Sequence, residues 1–176
     1  MRRRQTIPRQ WLITNRDLDR QFWIVVRRLP RGSGILLLEC PCATTLRRLR
    51  LLAALSDFLI VADVPGKVAR VHNARELRQA LLRRTPVVLL SPLFKTLSHP
   101  DWRPLPRMRA ASLAKLGKRR LIALGGMTEE RYGKLAQLGF IGWAGISAWR
   151  QGRSCKRNGI RSVQRAAPVV RPQSAI

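Results

Sequence analysis

The sequence predicts an α/β fold, either a doubly wound sheet or a (β/α)8 barrel, and three observations lead there. Seven short runs are apolar almost throughout rather than at alternate positions, the pattern of parallel strands covered on both faces. The segments between them repeat with a helical period. Strand and helix therefore alternate along a chain of 176 residues, long enough for one domain and, at 45% apolar residues, able to bury a sizeable core.

The first run, WLIT at 11–14, precedes DRQFWIVVRRL, which sets Phe22, Val25, Val26 and Leu29 on one stripe. ILLLE at 35–39 is followed by TTLRRLRLLAAL, with Leu46, Leu49 and Leu52 or Ala53 in helical register. FLIVA at 58–62 and VARVHN at 68–73 stand too close together for the crossover helix that parallel neighbours need, so a barrel here would lack one βα unit. NARELRQALLRR then aligns Leu77, Ala80 and Leu81, and VVLLS at 87–91 runs into the polar turn SPLFKTLSHP. LIALGG at 121–126 leads into TEERYGKLAQLG, which has Thr128 as N-cap, Glu129 and Glu130 in the first turn and Gly139 as its stop. FIGWAGI at 140–146 is the seventh run. The apolar period fades beyond Arg150, so residues 1–149 read as the barrel and 150–176 as a basic, disordered tail.

Lys and Arg number 35 against 9 Asp and Glu, a formal charge of +26 that attracts polyanions without specificity. Arg2, Arg3, Arg4 and Arg9 open the chain, and seven more basic residues crowd Arg150 to Arg171 with no acidic residue among them. The basic termini are therefore expected to bind polyanions non-specifically. The interior is also basic, which leaves nucleic acid, an anionic membrane surface or phosphorylated small molecules as partners. No helix-turn-helix or RRM signature is present, and there is only one Tyr. Cys40, Cys42 and Cys155 have neither zinc nor disulfide spacing and read as reduced thiols. No apolar run reaches the length of a membrane span, so the expectation is a soluble, cytoplasmic protein without a membrane partner.

In either α/β layout ligands collect at the carboxyl ends of the strands. Gly125 and Gly126 let backbone approach a ligand closely, with a helix start behind them, and Gly145 to Ser147 offer a second set of N–H groups for phosphate. Ser91, Lys95, Thr96 and Ser98 supply hydroxyls and a cation suited to an anionic substrate. Asp63 at a strand end suits Mg2+, or caps the next turn; His72 suits a general base, or a hydrogen-bonded core position.

The run HNARELRQALLRRTPVVLLSPLFKTLSHPDWRPLP, followed by LIALGGMTEERYGKLAQLGFIGWAGISAW, resembles the second half of thiamine phosphate synthase and its TenI-type relatives over residues 72–149. The resemblance implies a shortened TIM (β/α)8-type barrel and a transferase joining a hydroxymethylpyrimidine diphosphate to a thiazole phosphate, with Mg2+ helping pyrophosphate leave. It implies that Gly125, Gly126, Ile146 and Ser147 hold the thiazole phosphate, that Ser91, Thr96 and Ser98 line the same pocket, and that Lys95 lies near the diphosphate. Lys95 and His72 are the catalytic candidates and Asp63 the metal candidate.

The first half departs from that family. LLLECPC, with Glu39, stands where a Gln-x-Arg-x-Lys motif is expected; Ala62 replaces the Asn of an Asn-Asp pair; and the turn carrying a second metal carboxylate is missing. Two further readings stay open: a thiazole tautomerase, although Pro92 stands where its histidine is expected, and a non-catalytic barrel binding a phosphorylated ligand or RNA. A gap beside Asp63 would expose core unless a neighbouring chain covered it, which makes a homo-oligomer an open alternative.

Overall fold

The computed structural model describes residues 7–14, 18–96, 100–118, 120–146 and 148–149. Ser98, Ser147 and the expected tail at 150–176 lie outside them. All seven apolar runs are strands: β1 (Gln10–Ile13), β2 (Gly34–Leu37), β3 (Leu59–Ala62), β4 (Val68–Val71), β5 (Val87–Leu90), β6 (Leu121–Ala123) and β7 (Gly142–Gly145). They form one parallel sheet in the order β3-β2-β1-β7-β6-β5-β4. First and last strands lie side by side, as in a barrel, while β3 and β4 do not pair. The result is a curled, shortened (β/α)8-type wall with one seam, and the seam falls where the sequence has no room for a crossover helix.

Side chains alternate between the two faces of this wall. Trp11, Ile13, Leu36, Val87, Leu89, Ile122 and Ala144 fill its interior. Trp11 is fully buried and crosses above Gly34, where a methyl group would come within 2.3 Å of the indole ring. Gly34 therefore has to be glycine for the indole to fit.

The outer face carries helices. In α1 (Arg20–Arg28) the expected stripe is buried, and Asp19 caps the helix by accepting from the Phe22 amide at 2.8 Å. In α2 (Ala43–Ser56) Leu49 and Ala53 are buried, whereas Leu51 and Leu55 point to solvent. α3 (Ala74–Leu82) buries Leu77 and Ala80. Full burial of one such leucine contributes about 1.5–3 kcal/mol.

The helix α4 (Arg107–Leu116) is absent from the sequence-based expectation. Its buried face is Ala110, Leu113 and Ala114, and Pro106 at its start offers no capping hydrogen bond, so neither a bulky stripe nor a cap announces it. Thr128 caps α5 (Glu129–Leu135) as expected; a 3-10 turn, Ala136–Leu138, then carries the chain to Gly139.

At the seam the chain passes from β3 to β4 through residues 63–67, held by Asp63 N–H to Leu37 O (2.8 Å) and Lys67 N–H to Val64 O (3.1 Å). Each residue of β3 is only half-buried, the partial exposure of core that a gap beside Asp63 implies. The ion pair between Arg70 Nη2 on β4 and Asp63 Oδ2, 2.7 Å apart, spans the connection.

Candidate functional site

The carboxyl ends of the strands surround a cavity of about 290 Å3, near the lower end of ligand-pocket sizes and suited to one substituted ring rather than a dinucleotide. Ile13 ends β1, Leu38 follows β2, Arg70 comes from β4, and Ser91 and Pro92 follow β5. Leu124, Gly125, Gly126 and Met127 follow β6, and Ala144, Gly145 and Ile146 belong to the end of β7. Thr96 and Trp102 reach it from the β5–α4 connection. Five expected residues, Ser91, Thr96, Gly125, Gly126 and Ile146, thus share one cavity.

The glycine pair has a clear steric cause. Gly125 and Gly126 have φ of +93° and +57°, and methyl groups there would lie 2.9 Å from Pro92 Cα and 2.2 Å from Lys95 O. The turn after β5 is laid directly on this pair, with Leu93 N–H donating to Leu124 O (3.0 Å) and Phe94 N–H to Gly125 O (3.1 Å). Arg131 donates to Gly126 O and places its guanidinium over the Phe94 ring, 5.0 Å from the centroid. Both glycine carbonyls are therefore engaged, while the N–H groups of Gly125, Gly126 and Ile146 donate to no other described residue. The start of α5 is different: Thr128 Oγ1 accepts from the Arg131 amide, and Glu129 and Glu130 already supply negative charge. The helix terminus thus has negative charge from the chain itself, whereas the glycine turn and the β7 end have none.

Lys95 is exposed and outside the cavity wall, with its carbonyl against Gly126. His72 stands in an adjoining open groove with Pro92, Trp102 and Arg103, its ring edge-on to Trp102 at 5.6 Å. Glu76 Oε2 accepts from the His72 amide (2.8 Å) and lies 3.1 Å from Nδ1, while Asn73 Nδ2 donates to Oε1 (2.6 Å). Desolvation raises the Glu76 carboxyl, but the hydrogen bonds from His72 and Asn73 outweigh it and hold the group below the ordinary carboxylate range. The other ring nitrogen, Nε2, is buried without a hydrogen-bond partner among the described residues.

Asp63 lies at the seam, with its side chain 19% exposed and its carboxylate on Arg70. Among the described residues no three His, Cys, Asp or Glu side chains gather as metal ligands. A hard divalent cation takes several oxygen ligands, so one carboxylate already neutralised by a guanidinium does not fit Mg2+.

Arg70 and Trp102 line the cavity without having been singled out from sequence. A single arginine in VARV, two residues after an inward-facing valine, is the signal that points to Arg70. For Trp102 there is no local signal, because its place depends on how a long connection folds back. On the same side of the wall, exposed Cys40 and Cys42 follow β2; hydrogen bonds with the Thr44 and Thr45 hydroxyls at 3.2 Å lower the Cys42 thiol to about 7.

No helix among the described residues is long and apolar enough to cross a membrane. No family model and no curated protein matches the sequence. Solved structures do match. Thiamine phosphate pyrophosphorylase from Pyrococcus furiosus superposes with a TM-score of 0.65 at 17% identity, covering 82% of this chain and 88% of that one. The thiamine phosphate pyrophosphorylase from Bacteroides thetaiotaomicron gives 0.52 at 14% identity, covering 86% and 89%. With seven of its strands in barrel order and its cavity at their carboxyl ends, the chain has the fold of the thiamine phosphate synthases.

Proposed function

We propose that the chain binds a phosphorylated heterocycle in this cavity and acts as a thiamine phosphate synthase-like transferase, joining a hydroxymethylpyrimidine diphosphate to a thiazole phosphate. The observation that carries the reading is the meeting of Gly125, Gly126 and Ile146, whose N–H groups donate to no other described residue, with Ser91 and Thr96 at one cavity. Backbone donors fixed in place hold a phosphate without reorganising, and that is how a chain with few catalytic side chains lowers a barrier to transfer. Ile13, Leu38, Leu124 and Met127 give the ring an apolar bed, and excluding water there strengthens each polar contact. Lys95, exposed beside the glycine turn, is the proposed contact for the diphosphate. Asp63 is committed to Arg70 rather than to Mg2+.

The test is formation of thiamine phosphate by purified protein from the two substrates. A second reading, binding without turnover, is favoured by that same ion pair. It gains if no product forms while the thiazole phosphate raises the thermal midpoint. Neither product nor protection overturns both.

A further inference from the structure

Among the described residues, one of those lining the cavity carries charge, Arg70, and its one ion-pair partner is Asp63. Arg70 occupies an inward-facing position of β4: Val68, two residues earlier, packs into the interior cluster. An apolar side chain would suit that position, yet Arg70 stands there with its side chain 38% exposed, open to a ligand as well as to its neighbour. Asp63 supplies a counter-charge at 2.7 Å from Nη2, and the guanidinium fork has more N–H donors than a single carboxylate oxygen uses.

We propose that Arg70 is the cationic contact for the ligand's anionic group, and that the pocket takes an aromatic phosphate monoester without a divalent cation. The Asp63–Arg70 pair stands in for a metal centre: the carboxylate orients the guanidinium instead of ligating an ion. A cation at Asp63 would have to displace that guanidinium and then sit beside its like charge. The planar fork matches phosphate oxygens in a way that a point charge does not. A cavity of about 290 Å3 with Trp102, Pro92 and Leu124 on its walls has room for one ring. The inference rests on the phosphate-ester reading above and narrows it, since of the two substrates the thiazole phosphate is the monoester.

The experiment is isothermal titration of the full chain with 4-methyl-5-(2-phosphooxyethyl)thiazole and with benzyl phosphate, each in excess EDTA and in millimolar Mg2+. The expected result is equal affinity in both buffers, a loss of about tenfold or more in Arg70→Gln, and a smaller loss in Arg70→Lys, which keeps the charge but not the fork. Thermal unfolding without ligand shows whether Arg70→Gln is folded; if it is not, the buffer comparison and Arg70→Lys decide. Binding that requires Mg2+, or that Arg70→Gln leaves unchanged, overturns the inference while the proposed function stands. Benzyl phosphate binding through Arg70 without thiazole phosphate binding supports the inference and overturns the proposed function. No binding of either ester overturns both.

Discussion

Replacing Gly126 by alanine separates two costs that glycine avoids at the floor of the cavity. The first is conformational: at φ +57° an alanine costs about 1–2 kcal/mol relative to its preferred backbone. The second is contact. The added methyl would lie 2.2 Å from Lys95 O and 3.1 Å from Phe94 Cβ, and the nearer of these is backbone, which cannot rotate aside. Moving it displaces a turn tied down by the Leu93 and Phe94 amides, at a further cost of about 1–3 kcal/mol if it behaves like an overpacked interior. The sum is about 2–5 kcal/mol. Gly66 is the control, since its φ is +85° but nothing lies within 4 Å of an added methyl, so Gly66→Ala should show the conformational part alone. Urea unfolding of both variants against the parent gives the two losses on one scale. Equal losses would refute the claim that the β5 turn rests on Gly126, and with it the account of why this pair is glycine.

Two other expectations follow from the titrating groups. Because the folded-state pKa of Glu76 is depressed, its stabilisation of the start of α3 is present above the ordinary carboxylate pKa and lost as pH falls through the folded value. Glu76→Gln should therefore be less stable than the parent at neutral pH, by under about 1 kcal/mol because the side chain is 40% exposed and screened, with the gap closing as pH falls below the ordinary carboxylate pKa. Thermal midpoints across pH check it, and a gap that widens on acidification contradicts the assignment. For Cys42, iodoacetamide labelling in a Cys155→Ser background should rise through half-maximum near pH 7, where hydrogen bonds with Thr44 and Thr45 hold the thiol. Thr44→Ala should move that midpoint upward; an unchanged profile by mass spectrometry counts against those bonds.

The strands were legible because a parallel strand covered on both faces has nowhere to place polar side chains, and each of the seven apolar runs is one. Thr128, Gly139 and the stripe from Phe22 to Leu29 were legible for local reasons as well, since caps and helical faces are written within a turn or two of sequence. What stayed hidden depends on distant parts of the chain. α4 packs through one leucine and two alanines, and alanines look the same inside and outside a core. Gly125 and Gly126 could be singled out by type, but the reason for both is a turn some thirty residues earlier, which only the folded chain lays over them. Arg70 reads as an interruption of an apolar run until the seam places Asp63 beside it.

The absent β3–β4 ladder divides the wall into two leaves, strands one to three and strands four to seven, whose common spine is the pairing of Gln10, Trp11 and Leu12 with Trp143, Ala144 and Gly145. Chain order and spatial order agree within each leaf, so each can be synthesised and folded as a continuous stretch before the spine forms. A cut between Pro65 and Gly66 would sever no ladder, and the two fragments would have to find each other through that spine and the packing around Trp11.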